Sequence, residues 1–164
     1  MSPHPLERPA DWLLAREALE RILASLAPLP AEQVPLGDAL GRVLAQPIVS
    51  PIDQPPWTNS GMDGFACRAD DVQGASSADP RLLRVIEEVP AGAFPSRAIG
   101  AGECVRLMTG APVPAGADSV VRLEHTEPRA DGVVAVLKDV DAGRNLRARG
   151  EDLAQGAVVL EPGC

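Results

Sequence analysis

Apolar positions recur at helical spacing early in the chain and in short, dense runs later. Ala15, Leu19, Ile22, Leu23 and Leu26 repeat along one helix face, while Arg16, Glu17, Glu20 and Arg21 fill the other. With Asp11 as a cap and Pro28 as a stop, this spacing predicts an amphipathic helix over residues 11–27. A second, short helix is predicted from an Asp38 cap through Ala45, ended by Pro47. Beyond residue 50 the pattern changes. Runs rich in Val, Leu and Ile at 82–89, 103–108, 119–124, 133–138, 146–149 and 157–160 predict strands, separated by Gly, Pro, Asp and Ala clusters. Residues 74–80 read as a surface loop. Helices first and strands second give an α+β class, with the strands in a β-rich unit of the sandwich or barrel kind.

Composition narrows this picture. The 164 residues suit one domain or two small ones. Seventeen prolines and 15 glycines argue against a helical bundle. The aromatic stock is only Trp12, Trp57, Phe65 and Phe94, so the core must be aliphatic. A net charge of −8 argues against nucleic acid and anionic membrane surfaces as partners. No apolar run approaches the roughly 20 residues that span a bilayer, and the N-terminus lacks a signal-peptide pattern. Cys67, Cys104 and Cys164 are widely spaced and form no zinc motif; each is expected to be a small buried hydrophobe. The expected compartment is the reducing cytoplasm.

Three polar segments carry candidate chemistry. Trp57-Thr58-Asn59-Ser60-Gly61-Met62-Asp63-Gly64-Phe65-Ala66 sets Asp63 just before a glycine, behind the proline-broken approach 51–56. It reads as a rigid loop that presents polar groups, and ordinary turn chemistry accounts for the same residues. In the second segment, 106–118, Thr109-Gly110 puts a hydroxyl and open backbone at a strand's carboxyl end, where an anion can meet N–H groups. No Gly-Lys-Ser/Thr follows, so it is not a P-loop. A threonine capping a proline-rich turn is the plainer alternative.

The third segment is Gly143-Arg144-Asn145-Leu146-Arg147-Ala148-Arg149-Gly150-Glu151-Asp152. On an extended chain Arg147 and Arg149 share a face and make a local anion site. Glu151 and Asp152 offer hard oxygen ligands to Mg²⁺. A solvated edge strand with compensating charges fits equally. If the segments meet, Asp63 and Asp152 with Arg147 or Arg149 suit Mg²⁺-bridged binding of a polyanion. His125, among carboxylates at a strand end, reads as a surface histidine.

The three motifs in this order resemble the N-terminal region of the MoeA-type molybdopterin molybdenumtransferases, related to the E domain of gephyrin. The resemblance runs from the first helix to Leu160-Glu161-Pro162-Gly163. It implies transfer of molybdenum from molybdate to adenylylated molybdopterin, with Mg²⁺ and release of AMP. It implies catalytic roles for Asp63, Thr109 and Asp152, substrate binding by Asn59, Ser60, Arg147 and Arg149, and metal binding by Asp63, Glu151 and Asp152. It also implies a homodimer in which these loops of one subunit complete the cleft of the other. Residues 1–50 with 145–164 would form one discontinuous α/β dimerisation unit, and 51–144 an inserted β-rich lobe.

Gly61 stands where relatives often carry Ala. The family's pterin- and nucleotide-binding α/β domain follows the point where this chain stops, so these residues alone are not expected to catalyse molybdenum insertion. A stand-alone, non-catalytic dimerisation or assembly module is the alternative within the family. An unrelated Mg²⁺-dependent phosphoester hydrolase using Asp63 and Asp152 is the alternative outside it.

Overall fold

The structure, a computed structural model, describes residues 12–164. The chain forms two compact units, Met1–Ala45 and Gln46–Cys164. In the first, helix α1 spans Ala15–Ala24, and the expected cap at Asp11 lies outside the described residues. Its start is fixed by Glu17, whose carboxylate accepts the Leu14 N–H at 3.1 Å, one half of a capping box. Arg16 and Glu20 form an i,i+4 pair at 3.0 Å on the polar face. No residue of the helix is buried, and Leu19, Ile22 and Leu23 are each more than half exposed.

The second predicted helix does not form. Only a single 3₁₀ turn appears, at Leu36–Asp38, and Gly41 then adopts φ +80°. That left-handed backbone ends any right-handed run through residues 38–45.

The second unit contains strands β1 (Ile48–Val49), β2 (Asn59–Ser60) and β3 (Gly64–Cys67), then helix α2 (Ala69–Val72). Strands β4 (Arg81–Val89), β5 (Glu103–Leu107), β6 (Ser119–Arg122) and β7 (Thr126–Pro128) follow. The last three are β8 (Val133–Val136), β9 (Leu146–Arg147) and β10 (Val158–Leu160). Six of them build a mixed sheet in the order β6-β3-β5-β4-β8-β7, in which only β4 and β5 are parallel neighbours. Two small antiparallel ribbons, β1–β10 and β2–β9, complete the unit. The α+β class expected from the pattern is what the structure shows, with strands predominating.

The sheet is apolar on both faces. Phe65, Cys67, Cys104, Val121 and Leu83 lie in one cluster, while Ala66, Val105, Leu107 and Val120 lie in the other. Neighbouring residues of a strand point to opposite faces, so burial on both sides explains why these strands read as continuous apolar runs. Each fully buried leucine, such as Leu83 or Leu107, contributes roughly 1.5–3 kcal/mol relative to exposure. The core is aliphatic apart from Phe65, as the composition requires.

The segment read as a loop supplies two of these strands. β3 is buried along its whole length and pairs with β5 on one side and β6 on the other. The reason lies at Gly64: a Cβ built there would sit 2.1 Å from the Val121 carbonyl oxygen. Glycine is what lets β6 approach so closely.

Candidate functional site

Backbone pairing brings the three polar segments together at one place in the second unit. β2 pairs antiparallel with β9, setting Asn59 opposite Arg147 and Ser60 opposite Leu146. On the other side of β2, Ser60 donates to the Ala111 carbonyl at 2.9 Å and accepts from the Gly110 N–H at 2.8 Å. Thr58 receives the Val113 N–H at 3.1 Å on its carbonyl and the Arg149 N–H at 3.3 Å on its hydroxyl. Gly61 donates to the Asn145 carbonyl at 2.9 Å. The first segment is thus the middle strand between the second and the third.

Asp63 and Thr109 meet directly. The Thr109 N–H donates to Asp63 Oδ1 at 2.6 Å, and the Thr109 hydroxyl donates to the same oxygen at 2.7 Å. The anion that the open strand end receives is therefore the protein's own carboxylate. Those two bonds, hydroxyl first and then backbone, hold the Asp63 carboxyl below the ordinary aspartate range. The Arg106 charge adds to the effect and partial burial opposes it. Among the described residues no donor reaches Asp63 Oδ2.

Glu151 and Asp152 shape the third segment. Glu151 accepts the Ala148 N–H at 2.8 Å, and Asp152 pairs with Arg147 at 2.5 Å. This bond to Asp152 raises the Arg147 pKa above its usual value. Arg149 turns to Asp53, its Nε 2.6 Å from Oδ2. Asp53 Oδ1 accepts the Gln155 N–H at 2.7 Å, and that bond, ahead of the Arg149 contact, lowers the Asp53 pKa. Both arginines of the expected anion site thus carry a carboxylate partner.

Ser60 is 1% exposed, and its hydroxyl donates to the Met62 carbonyl and accepts the Met62 N–H at 3.2 Å. It shapes the turn before Asp63. Among the described residues two buried side-chain atoms have no protein partner, Asn59 Oδ1 and Arg106 Nε. Both belong to this site: Asn59 is in β2, and Arg106 lies on β5 beside Asp63. Unpaired buried polar atoms are rare in folded proteins.

Sequence reasoning missed a second cluster beside the first. Asp141, 1% exposed, accepts from Arg122 through its N–H at 3.1 Å, Nε at 3.1 Å and Nη2 at 2.9 Å. His125 is not a surface histidine: its side chain is 13% exposed, and Nδ1 lies 2.8 Å from Asp141 Oδ2. Burial pushes the Asp141 carboxyl up, but the bonds from Arg122, Asn145 and His125 outweigh it and hold the group well below the ordinary range. Asp53 had a visible signal in its proline-flanked position; Asp141, in Asp-Val-Asp-Ala-Gly, had none.

Cys67 and Cys104 are buried, and burial pushes both thiols up to about 12. Cys164, expected to be buried like them, is exposed. Among the described residues no group of three or more His, Cys, Asp or Glu side chains is gathered for a metal. The donors present are carboxylate oxygens in two places, Asp63 and Glu151-Asp152. Among the described residues no helix is long and apolar enough to cross a membrane.

Comparison with known proteins places this arrangement. Residues 14–164 match the family model described as the MoeA N-terminal region, domains I and II. The chain is 42% identical over 149 residues to a molybdopterin molybdenumtransferase of Synechococcus elongatus, covering 89% of this chain and 37% of that protein. It is 42% identical over 130 residues to molybdopterin molybdenumtransferase 2 of Mycobacterium tuberculosis, covering 79% of this chain and 32% of the relative. The crystal structure of the molybdopterin biosynthesis moeA protein from Pyrococcus horikoshii superposes with a TM-score of 0.79 at 39% identity. That superposition covers 90% of this chain and 39% of the archaeal one. The chain therefore spans well under half the length of the relatives it matches.

Proposed function

The chain belongs to the MoeA N-terminal region family, and we propose that it serves molybdenum cofactor biosynthesis as the N-terminal portion of a molybdopterin molybdenumtransferase. In this reading the whole enzyme transfers molybdenum from molybdate to adenylylated molybdopterin and releases AMP. These 164 residues supply one wall of the cleft and are incomplete for catalysis alone. The observation that carries the reading is the convergence of the three motifs on β2, with Asp63 clamped by both donors of Thr109.

Roles follow from the geometry. Asp63, held ionised, presents a fixed negative charge with one oxygen clear of protein donors. Thr109 fixes its direction. Asn59 would bind substrate from β2, opposite Arg147, and Ser60 shapes the turn that carries Asp63. Arg147 and Arg149 lie on the same wall, where exchange of a carboxylate partner for a substrate anion would let them bind it. Asp63, Glu151 and Asp152 would hold Mg²⁺, which would neutralise substrate phosphate charge against an acidic protein. The exposed apolar stripe of α1 supports a homodimer. The reading includes a discontinuous unit of 1–50 and 145–164 around an inserted 51–144 lobe, and the β1–β10 pairing, which joins residues 48–49 to 158–160, supports the part of it that lies in the second unit. A cytoplasmic location goes with this reading.

The test is to fuse this chain to the remaining domains of the Synechococcus relative and supply adenylylated molybdopterin. Molybdate-dependent AMP release is expected from the fusion and not from the chain alone. A folded fusion that releases no AMP would contradict the proposal. The exposed helix stripe also favours a second reading, a non-catalytic dimerisation or assembly module. That reading expects a dimer by light scattering, with activity appearing only when the relative's remaining domains are added as a separate chain.

A further inference from the structure

Asp141 occupies a position that its burial alone does not explain. A carboxylate taken out of water needs full compensation, and here a guanidinium fork, a backbone N–H and an imidazole supply it. Two flanks of the Asp141 site lead to the turn that carries Asp63. Arg122 is the register partner of Gly64, and the next residue, Leu123, donates its N–H to the Asp63 carbonyl at 3.2 Å. On the other flank the Arg144 N–H donates to the Asp141 carbonyl at 3.1 Å, and the Arg144 carbonyl accepts the Val120 N–H at 3.0 Å. The neighbouring Asn145 donates Nδ2 to the Val120 carbonyl at 2.8 Å and accepts the Gly61 N–H at 2.9 Å. Asn145 holds φ +66°, a backbone setting that asparagine tolerates better than most residues.

The turn Gly61-Met62-Asp63 is therefore pinned at both ends, at Gly61 through Asn145 and at Asp63 through Leu123. The Leu123 pin adjoins Arg122, which binds the buried Asp141 carboxylate, and the Asn145 pin belongs to the segment whose Arg144 N–H binds the Asp141 main-chain carbonyl. We propose that Asp141 is a positioning residue for Asp63: through Arg122 and the 141–145 segment it fixes the turn that aims the Asp63 carboxylate at Thr109. Asp141 touches no ligand in this role. It acts only through backbone held on either side of Asp63. The significance of that aim rests on the function proposed above, but the positioning itself is independent of it.

The test is amide hydrogen exchange by NMR on the 164-residue chain, comparing wild type with Asp141→Asn. The amides of Gly61, Leu123 and Thr109 report the two pins and the Asp63–Thr109 bond. Those of Arg84 and Ile99, bonded to Gly102 at 2.9 Å and Ala115 at 3.0 Å, report fold stability elsewhere. Losing charge-assisted bonds at the hub should speed exchange at the first three roughly tenfold or more. Arg84 and Ile99 should change far less. The Thr109 amide proton, drawn downfield by its short carboxylate bond, should move upfield. A purely structural role would speed all five amides together, and that result, or no change at the first three, overturns the proposal. Should Asp141→Asn fail to fold, His125→Phe removes a single bond to Asp141 and should give the same local pattern at smaller amplitude. An even or absent response in that variant would be equally fatal. Neither result bears on AMP release by the fusion enzyme, so the two readings fail separately.

Discussion

Substituting Gly64 by alanine should unfold more of this protein than any comparable change at a neighbouring glycine. The added Cβ would stand 2.1 Å from the Val121 carbonyl oxygen and 3.2 Å from the Arg122 Cα. Both atoms are backbone of β6, so no side chain can swing away. To restore ordinary contact β6 must retreat by more than an ångström from β3. Such a move strains the ladder that pairs Gly64 with Arg122, Phe65 with Val121, Ala66 with Val120 and Cys67 with Ser119.

Overpacking of this kind costs about 1–3 kcal/mol, and each ladder hydrogen bond lost adds about 1 kcal/mol. A total of about 3 kcal/mol or more is expected, a large share of the roughly 5–15 kcal/mol of a typical domain. Gly61 is the internal control. Its Cβ would meet the Asn145 carbonyl oxygen at 3.4 Å, an ordinary contact. Gly61→Ala should therefore lie between neutral and about 0.5 kcal/mol stabilising, since alanine narrows the unfolded ensemble. Urea denaturation followed by circular dichroism, with equal m-values, separates the two. Equal stability of the two variants would refute the close β3–β6 approach and with it the placement of this motif in the sheet.

Further outcomes follow from the charges and thiols. Thr109→Val removes the hydroxyl bond to Asp63, so the Asp63 pKa should rise toward the ordinary aspartate value without reaching it, because the Thr109 N–H and Arg106 remain; carbon-detected NMR titration reads this. Asp141 is held below its unfolded pKa of about 3.9, so its contribution to stability is complete above that pH and is lost as pH falls below it. Urea melts between pH 6 and pH 2.5 should show that acid loss in wild type and a shallower one in Asp141→Asn. A thiol reagent at pH 8 should label only Cys164 in the folded chain, and all three cysteines once it is denatured.

The legible part of the fold was the part with local signals. β4, β5 and β8 announced themselves as Val, Leu and Ile runs bounded by turn residues. β3 did not, because Gly-Phe-Ala-Cys carries little strand propensity, sits among glycines and is buried on both faces, which removes the alternation that marks a strand. The predicted helix at 38–45 failed because Gly41 takes a left-handed conformation that composition does not reveal. At the site, the three motifs were individually ambiguous and jointly specific. Their meeting depends on bonds such as Gly110 to Ser60 and Gly61 to Asn145, which couple residues far apart in sequence. Asp141 was illegible for the same reason: its partners Arg122 and His125 come from another part of the chain, and no local pattern marks a carboxylate that folding will bury.

The central claim is that Asp63, clamped by Thr109, is a working part of a molybdenum-insertion cleft. The most direct measurement is molybdate-dependent AMP release by the fusion of this chain to the remaining domains of the Synechococcus relative, carrying Asp63→Asn, with its secondary structure and melting checked against the parent. The account predicts a fall of about a hundredfold or more in kcat, the scale expected when a preorganised charge at a reacting centre is removed. A folded Asp63→Asn fusion that releases AMP at the parent rate would contradict it.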